Sequence, residues 1–486
     1  MKSFSGDAIA QILGARVTGR LATAAVTGVS TDSRALESGD CFFAIAGENF
    51  DGHEYVAQAF AQGAACAVVR RAVRADGPLL EVEDTIKALG DLARAYRRSG
   101  AFKVVAITGS VGKTTTRQIV YHVLSQHFRT HQAKKNFNNT IGLPLTLLEA
   151  EPSDEIIVAE LGANAPGEIA YLTGVAQPDV AVVTNAHPAH LAGFGDLQTI
   201  IREKISIAQG LASGGVLIVN GDIEALVSAG RQTVGAGSCA CPGNGDALPL
   251  QTFGRTPTCD YRAQQVNYEG LTSTFAVGGQ RIHLPLPGPG NVDNALAAWA
   301  VCAQFGLSLG QFADALESLP SVSMRAEPVQ IGTLTVLNDC YNANPASMKN
   351  ALAMLSNLRA AGDADGSSPG QARLPAPTAA GPRRLVFICG AMAELGVQTE
   401  ALHAELGQAI AQAGVDVLLT VGDATKRTAA AAAAAADGLL AEHFDDTRSL
   451  CDNLSAFVRP CDIILVKASR TARLEKVVQQ LTKDFG

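Results

Sequence analysis

The sequence has little that suits a nucleic acid or a membrane as partner. It carries 38 basic against 46 acidic residues, a formal net charge of −8, so there is no basic excess to neutralise a phosphate backbone. No run of about 18 apolar residues occurs, and the opening "MKSFSGDAIAQILG" lacks the apolar core of an export signal. We therefore expect a cytoplasmic protein without a nucleic acid or membrane partner.

Cysteine is present at ten positions but never in the C-x-x-C spacing of a zinc or redox motif. The closest pair, Cys239 and Cys241, has no second pair beside it. We expect the thiols to be reduced.

A chain of 486 residues is too long for one core, and a prior of about 150 residues per domain predicts roughly three domains. Apolar strands alternate with helical stretches throughout, which is typical of the α/β class. We predict a small N-terminal α/β domain (1–100), a central domain with a parallel sheet (101–322) and a C-terminal Rossmann-like domain (323–486). The Gly-, Pro- and Ser-rich stretch 361–384 is predicted to be a surface loop, and the alanine run 429–436 a helix.

The stretch "TGSVGKTTT" between the apolar strand "KVVAIT" and a helical pattern indicates a phosphate-binding loop. It is shorter than the common G-x-x-x-x-G-K-[ST] loop, because Ile107 stands where the first glycine would fall. Lys113 can reach the β- and γ-phosphates, and the hydroxyl of Thr114 is placed to bind Mg²⁺. The central domain is therefore predicted to be a P-loop ATPase domain. The predicted ATP-binding residues are Thr108, Gly109, Ser110, Val111, Gly112, Lys113, Thr114 and Thr115.

Further polar residues follow the next apolar strands. Glu160 ends "EIIVAE", where a carboxylate can reach a metal held by the nucleotide, and "VAVVTN" leads to His187, His190 and then Lys204. Taken alone, the position of Glu160 is as typical of a solvated strand end as of a metal ligand. Each histidine, taken alone, is as typical of a surface residue as of a functional one.

Four stretches together, "TGSVGKTTT", "ELGANAPGEI", "NAHPAHLAGFG" and "YNANP", resemble the Mur ligases, the ATP-dependent amide-forming enzymes of peptidoglycan precursor synthesis. "DCYNANPASMKNAL" and the early "STDSRALESGDCFFAIAGENFDGHEY" resemble most closely the branch that adds D-Ala-D-Ala. The resemblance implies a ligase that uses ATP and Mg²⁺ to join D-Ala-D-Ala to UDP-N-acetylmuramoyl-tripeptide through an acyl phosphate. We expect it to be a monomer.

The resemblance also implies roles for individual residues. The catalytic set would be Lys113, Glu160, His190 and Lys204, with Thr114 and Glu160 holding one Mg²⁺, His190 a second, and Lys204 acting as a carbamate. Further nucleotide-binding residues would be Asn291, Asn294, Arg325, Asp339 and Tyr341. The UDP end of the substrate would meet Thr31, Asp32, Ser33, Arg34, Gly47, Asp51 and Gly52. The remaining substrate-binding residues would be Asn138, Asn139, Thr140, Asn342, Ser469 and Arg470.

The sequence departs from the family pattern at Gly290, Asn338, Ala391 and Ala468, where relatives commonly carry His, an acidic residue, Asp and Gly. Three alternatives stay open at this point. The first is the sister Mur ligase that adds a diamino acid as third residue, and the second is a folate polyglutamate ligase, which lacks the UDP-binding domain. The third is a non-catalytic binding protein that senses the nucleotide.

Overall fold

The computed structural model describes residues 3–21, 25–134, 137–235, 248–363 and 383–486. Cys239 and Cys241 lie outside the described residues, as does most of the predicted loop 361–384. Among the described residues, no helix has both the length and the apolar character needed to cross a bilayer.

The N-terminal part of the chain forms a small α/β unit. Its elements are β1 (Phe4–Ser5), α1 (Gly6–Leu13), β2 (Arg16–Thr18), β3 (Ala25–Val26), β4 (Gly28–Ser30), β5 (Asp40–Phe43), α2 (Val56–Ala61), β6 (Cys66–Val69), β7 (Leu79–Glu81) and α3 (Thr85–Ser99). The main sheet has the order β2-β7-β6-β5-β4 and is parallel except for β2. Asp84 starts α3 by accepting from the N–H groups of Ile86 and Lys87, donors that a helix leaves free at its first turn.

The middle of the chain is built on a seven-stranded sheet in which every strand pair is parallel. Its elements are β8 (Lys103–Thr108), α4 (Lys113–Leu124), β9 (Thr130–Gln132), α5 (Gly142–Glu149), β10 (Ile156–Glu160), α6 (Glu168–Ala176), β11 (Val180–Val183), α7 (Leu191–Phe194), α8 (Leu197–Ile205), β12 (Val216–Asn220), α9 (Glu224–Gly235), β13 (Leu250–Gly254) and β14 (Tyr261–Arg262). The order is β14-β13-β12-β11-β8-β10-β9. Strands β10, β11 and β12 are buried along their whole length, which explains their continuous apolar sequences.

A three-stranded antiparallel sheet and two helices complete this middle unit. They are β15 (Gln264–Glu269), β16 (Thr272–Val277), β17 (Gln280–Leu284), α10 (Pro289–Gln304) and α11 (Leu309–Leu316). Helix α10 packs against α4, and the Thr116 hydroxyl donates to Asn294 Oδ1 at 3.3 Å. The start of α10 therefore lies beside the glycine loop.

The C-terminal part is a second doubly wound sheet with the order β18-β19-β23-β20-β21-β22. Its elements are β18 (Glu327–Ile331), β19 (Leu334–Asp339), α12 (Pro345–Asp363), β20 (Leu385–Gly390), α13 (Thr399–Gln412), β21 (Val417–Val421), α14 (Lys426–Ala435), β22 (Leu440–Phe444), α15 (Thr447–Phe457), β23 (Ile463–Lys467) and α16 (Glu475–Phe485). Only β18 runs antiparallel to its neighbour.

The predicted α/β class with parallel sheets is confirmed. The alanine run is helical as predicted up to Ala435, and Ala436 is extended. Helix α12 continues to Asp363, so the first residues of the predicted loop 361–384 are helical instead. The domain boundaries after residues 100 and 322 stay a prediction.

Strand order determines where polar residues gather. In the seven-stranded sheet, β8 lies between β10 and β11, and parallel strands end at one edge. The glycine loop after β8, Glu160 at the end of β10 and Thr184 just after β11 therefore lie side by side.

Candidate active site

The loop between β8 and α4 contains two enclosed glycines. Gly109 has φ +149° and Gly112 has φ +85°, a region of backbone space that disfavours other residues. A Cβ on Gly109 would collide with Thr184 Oγ1, and one on Gly112 with Asn294 Oδ1. The first N–H groups of α4 have no intrahelical acceptor, so the loop presents them, with the positive end of the helix dipole, to an anion.

The end of β11 holds this loop in place. Asn185 accepts from the Val111 N–H at 2.9 Å and donates from Nδ2 to the Val111 carbonyl at 3.0 Å. The same carbonyl accepts from the Thr184 hydroxyl at 2.6 Å. The Ser110 hydroxyl donates to the His187 carbonyl at 2.9 Å. Thr184 and Asn185 were absent from the predicted site, although they end the strand motif "VAVVTN".

A buried carboxylate faces the loop. Glu160 is 3% exposed and accepts from the Thr114 hydroxyl at 2.8 Å and from Asn138 Nδ2 at 2.9 Å. Burial would raise the pKa of its carboxyl, but the charges of Lys113, Arg325 and Arg117, together with the hydrogen bond from Asn138, lower that pKa below its ordinary value. The structure thus brings four sequence-predicted residues, Lys113, Thr114, Asn138 and Glu160, to one point.

Lys113 and a further cation that the sequence did not predict, Arg117, act on this carboxylate through their charges. Lys113 Nζ donates to the Gly109 carbonyl at 2.8 Å; burial lowers its pKa, and Glu160 acts in the opposite direction. Arg117, buried one turn further along α4, donates to the Ala133 carbonyl at 3.0 Å and helps to lower the pKa of Glu160. Arg117 follows the loop lysine by four residues, and nothing in the sequence indicated this role for it.

The loop and Glu160 open into a cavity of about 520 Å³ between the middle and C-terminal parts of the chain. Most sequence-predicted nucleotide and substrate residues line it: Ser110, Val111, Gly112, Lys113, Thr114, Thr115, Asn138, Asn139, Thr140, Glu160, His190, Asn291, Asn294, Arg325, Asp339, Tyr341 and Asn342. His187 lines it as well, and so does Gly290, where relatives commonly carry His.

The C-terminal wall of the cavity carries a stacked cation and an ion pair. The Arg325 guanidinium lies 4.2 Å from the centre of the Tyr341 ring, a cation–π contact. Asp339 accepts from Lys467 Nζ at 2.6 Å, and Lys467 is 2% exposed. Lys467 also lines the cavity, although the sequence interpretation assigned it no role.

His190 and Lys204 occupy different depths of this region. His190 lines the cavity, and its Nδ1 contacts the carboxylate of Glu394 from the C-terminal part. Lys204 is buried outside the lining, with Nζ 5.5 Å from the centre of the Phe194 ring. Burial, together with the charge of Lys113, lowers the pKa of Lys204 to about 7. Near neutral pH a large fraction of this amine is therefore uncharged.

The other sequence-predicted residues lie elsewhere. Within the part of the chain that the structure describes, the cavity lining contains none of Thr31, Asp32, Ser33, Arg34, Gly47, Asp51, Gly52, Thr108, Gly109, Lys204, Ser469 and Arg470. In the N-terminal unit, Arg34 donates to both carboxylate oxygens of Asp32 at 2.9 and 2.7 Å. The hydrogen bonds from Arg34 lower the pKa of Asp32 to about 2.

The donor groups suit a hard cation. Among the described residues there is no group of three or more His, Cys, Asp or Glu side chains that could hold a metal ion by itself. A cation beside the glycine loop would take oxygens from Glu160 and Thr114 and complete its shell with phosphate and water oxygens, the coordination that Mg²⁺ prefers. The residues present therefore fit Mg²⁺ bound together with a nucleotide.

A short glycine loop, a buried carboxylate beside it and a cavity lined also by a second α/β unit define a P-loop nucleotide-binding protein in which a separate unit faces the loop. The chain belongs to the Mur ligase family. Three family models match it in order: the Mur ligase family catalytic domain at residues 25–97, the Mur ligase middle domain at 107–302 and the Mur ligase glutamate ligase domain at 371–470. The resemblance stated from the motifs is confirmed.

The UDP-N-acetylmuramoyl-tripeptide–D-alanyl-D-alanine ligase of Bacillus subtilis is 34% identical over 94% of this chain and 93% of its own length. A crystal structure of MurF from Acinetobacter baumannii is 29% identical with a TM-score of 0.85, and covers 100% of both chains. MurF ligase from Thermotoga maritima in complex with ADP is 25% identical with a TM-score of 0.79, over 95% of this chain and 98% of its own. The three-domain architecture is thereby confirmed.

Proposed function

We propose that this protein is an ATP- and Mg²⁺-dependent ligase that joins D-Ala-D-Ala to UDP-N-acetylmuramoyl-tripeptide in the cytoplasm. The product is the pentapeptide precursor of peptidoglycan. The observation that carries the proposal is the cavity in which the glycine loop and Glu160 face Arg325 and Tyr341 of the C-terminal domain. Relatives that share more than 90% of the chain length and carry the name of this activity support it.

The reaction needs activation because a carboxylate does not form an amide with an amine unaided. Transfer of the γ-phosphoryl group of ATP to the tripeptide carboxylate gives an acyl phosphate, which the D-Ala-D-Ala amine attacks with release of phosphate. The N–H groups at the start of α4 would hold the phosphates. Lys113, with no acceptor but the Gly109 carbonyl among the described residues, would turn to the transferring group and stabilise its charge.

Two anions, the carboxylate and the γ-phosphate, must approach each other in this step. Mg²⁺ held by Glu160 and Thr114 would neutralise part of that charge. Glu160 is suited to this role because its lowered pKa keeps it ionised. Asn138 fixes its second oxygen at 2.9 Å, so the carboxylate is already oriented before a nucleotide binds.

His190 and Lys204 would serve a second Mg²⁺. Only an uncharged amine reacts with carbon dioxide to form a carbamate, and the pKa of Lys204, lowered to about 7 by burial, supplies that form. Carbamylation would replace a buried cation with an anion. The position of His190 on the cavity wall supports its role as a ligand.

The N-terminal domain, with boundaries proposed at residues 1–100, would hold the UDP end of the substrate through Thr31, Asp32, Ser33, Arg34, Gly47, Asp51 and Gly52. The central domain (101–322) would activate the carboxylate. The C-terminal domain (323–486) would bring D-Ala-D-Ala through Asn342, Ser469 and Arg470. A cavity enclosed by two domains supports this division, because excluding water protects the acyl phosphate from hydrolysis.

The test is phosphate release from ATP and Mg²⁺ with UDP-N-acetylmuramoyl-tripeptide, with and without D-Ala-D-Ala. We expect release to depend on both. Release only with the UDP-dipeptide and a diamino acid would assign the protein to the sister ligase. No amine-dependent release with either pair would favour the nucleotide-sensing alternative.

A further inference from the structure

A side chain of the C-terminal domain reaches His190. The carboxylate of Glu394 contacts His190 Nδ1, across 204 residues of chain. The same residue accepts a second bond, because the Ala192 N–H donates to the Glu394 carbonyl at 3.1 Å. Main chain and side chain of Glu394 are thus both attached to the segment that begins α7.

Both partners hold a costly backbone conformation. His190 has φ +52° and Glu394 has φ +61°, in the left-handed region that residues other than glycine rarely occupy. Gly396, at φ +59°, lies against Ala192. Two strained residues from different domains meet at one contact, and such strain is kept where the surroundings over-determine it, often at functional sites.

The contact with a carboxylate determines which nitrogen of the His190 imidazole carries the proton. A carboxylate only accepts hydrogen bonds, so Nδ1 carries the proton and donates to Glu394. Nε2 is then the ring nitrogen with a free lone pair. Metal-bound histidines usually donate their other N–H to a carboxylate or carbonyl, which fixes the tautomer and the ring orientation.

We infer that Glu394 is a positioning residue that orients His190 so that Nε2 is available to a metal ion in the cavity. The inference rests on the metal role of His190 in the proposed function. Because Glu394 belongs to the C-terminal domain, the His190 site is complete only when that domain is docked on the central one. Docking of the acceptor-binding domain and preparation of the metal site are then a single event.

The alternative is that Glu394 only holds the two domains together, and this predicts a different result for its removal. In that case removal of Glu394 would weaken docking and lower stability, whether or not His190 is present. A positioning role requires instead that the effect of Glu394 on metal affinity disappear when His190 is removed. The two explanations are separated by a double-mutant cycle.

The experiment titrates Mn²⁺ into the full-length protein with a non-hydrolysable ATP analogue and follows the free ion by electron paramagnetic resonance. We expect the wild-type protein to bind two ions. Glu394→Ala should weaken one of them about 10-fold or more and leave the other unchanged. Glu394→Gln, which keeps an oxygen acceptor, should give a smaller loss. The control Glu405→Gln changes an exposed carboxylate on α13 and should change neither.

In the His190→Ala background, Glu394→Ala should cause no further loss of Mn²⁺ affinity. Equal losses in both backgrounds, or wild-type affinity in Glu394→Ala, would overturn the inference while leaving His190 as a ligand. If His190→Ala instead binds two Mn²⁺ ions with wild-type affinity, His190 is not a metal ligand and the inference fails with that role. Melting curves of each variant identify any general loss of folding, and Glu394→Gln is the variant to use if Glu394→Ala does not fold.

Discussion

Asn185 brackets Val111 with two hydrogen bonds, accepting from its N–H at 2.9 Å and donating to its carbonyl at 3.0 Å. One amide side chain thereby fixes both polar groups of a residue at the centre of the glycine loop. The loop is preorganised for phosphate before any nucleotide arrives, and β11 supplies the support.

Asn185→Ala removes both bonds and should raise the KM for ATP about 30-fold, since two hydrogen bonds of about 1 kcal/mol each are lost and 1.4 kcal/mol corresponds to a factor of ten. Asn185→Asp keeps the acceptor but places an oxygen against the Val111 carbonyl, so it should be at least as harmful. Steady-state kinetics with varied ATP check this. An unchanged KM in both variants would show that the loop keeps its conformation without Asn185.

Glu160→Gln should reduce turnover at least 100-fold, because the amide keeps the approximate shape and can still accept from the Thr114 hydroxyl but cannot supply the charge that a divalent cation needs. The amide nitrogen would also face Asn138 Nδ2, a donor that the carboxylate accepts from. The comparison is turnover over a range of Mg²⁺ concentrations, with melting curves to show that the variant folds. Near-normal turnover at limiting Mg²⁺ would contradict the metal role of Glu160.

Lys204→Ala should lose most ligase activity and recover part of it when a short-chain carboxylic acid is added, since the acid can occupy the space of the carbamate. Lys483→Ala, at an exposed position on α16, is the matched control and should keep full activity with no response to the acid. Full activity of Lys204→Ala without any additive would end the carbamate assignment.

The thiols of Cys340 and Cys389 should resist alkylation in the native protein. Both are almost completely buried, and burial raises the pKa of each to about 12, so neither forms the reactive thiolate near pH 8. Of the three thiols compared, that of Cys451, which is only partly buried, should react first. Peptide mapping after a short iodoacetamide pulse, with and without denaturant, measures the difference; equal labelling of all three in the native state would refute it.

The α/β class followed from the sequence because buried parallel strands are continuous apolar runs. The proximity of Lys113 and Glu160 could be predicted because one begins the helix after such a strand and the other ends one. The strand-end position of Glu160 did not by itself distinguish a binding residue from a solvated strand end, and its role came from the resemblance to the family. The contacts that complete the site join distant positions. Asn185 lies 74 residues after Val111, and Lys467 lies 128 residues after Asp339. No local pattern signals such a pair, since it depends on strand order and domain packing.

The end of helix α12 shows a second limit of what the sequence predicts. Small and polar residues after Ala360 predicted a loop, yet the helix runs to Asp363, because alanine and neighbouring residues tolerate helix once the preceding turns are packed. Local propensity near a helix end decides little when tertiary contacts already hold the helix.

The enclosed glycines of the loop also restrict how this chain can change over evolutionary time. Gly109 is closed in by Thr184 and Gly112 by Asn294, residues that belong to a strand end and to a distant helix. A residue other than glycine at either position would need a smaller or displaced side chain at Thr184 or at Asn294. Each glycine is therefore tied to one residue distant in the chain and can change only together with it.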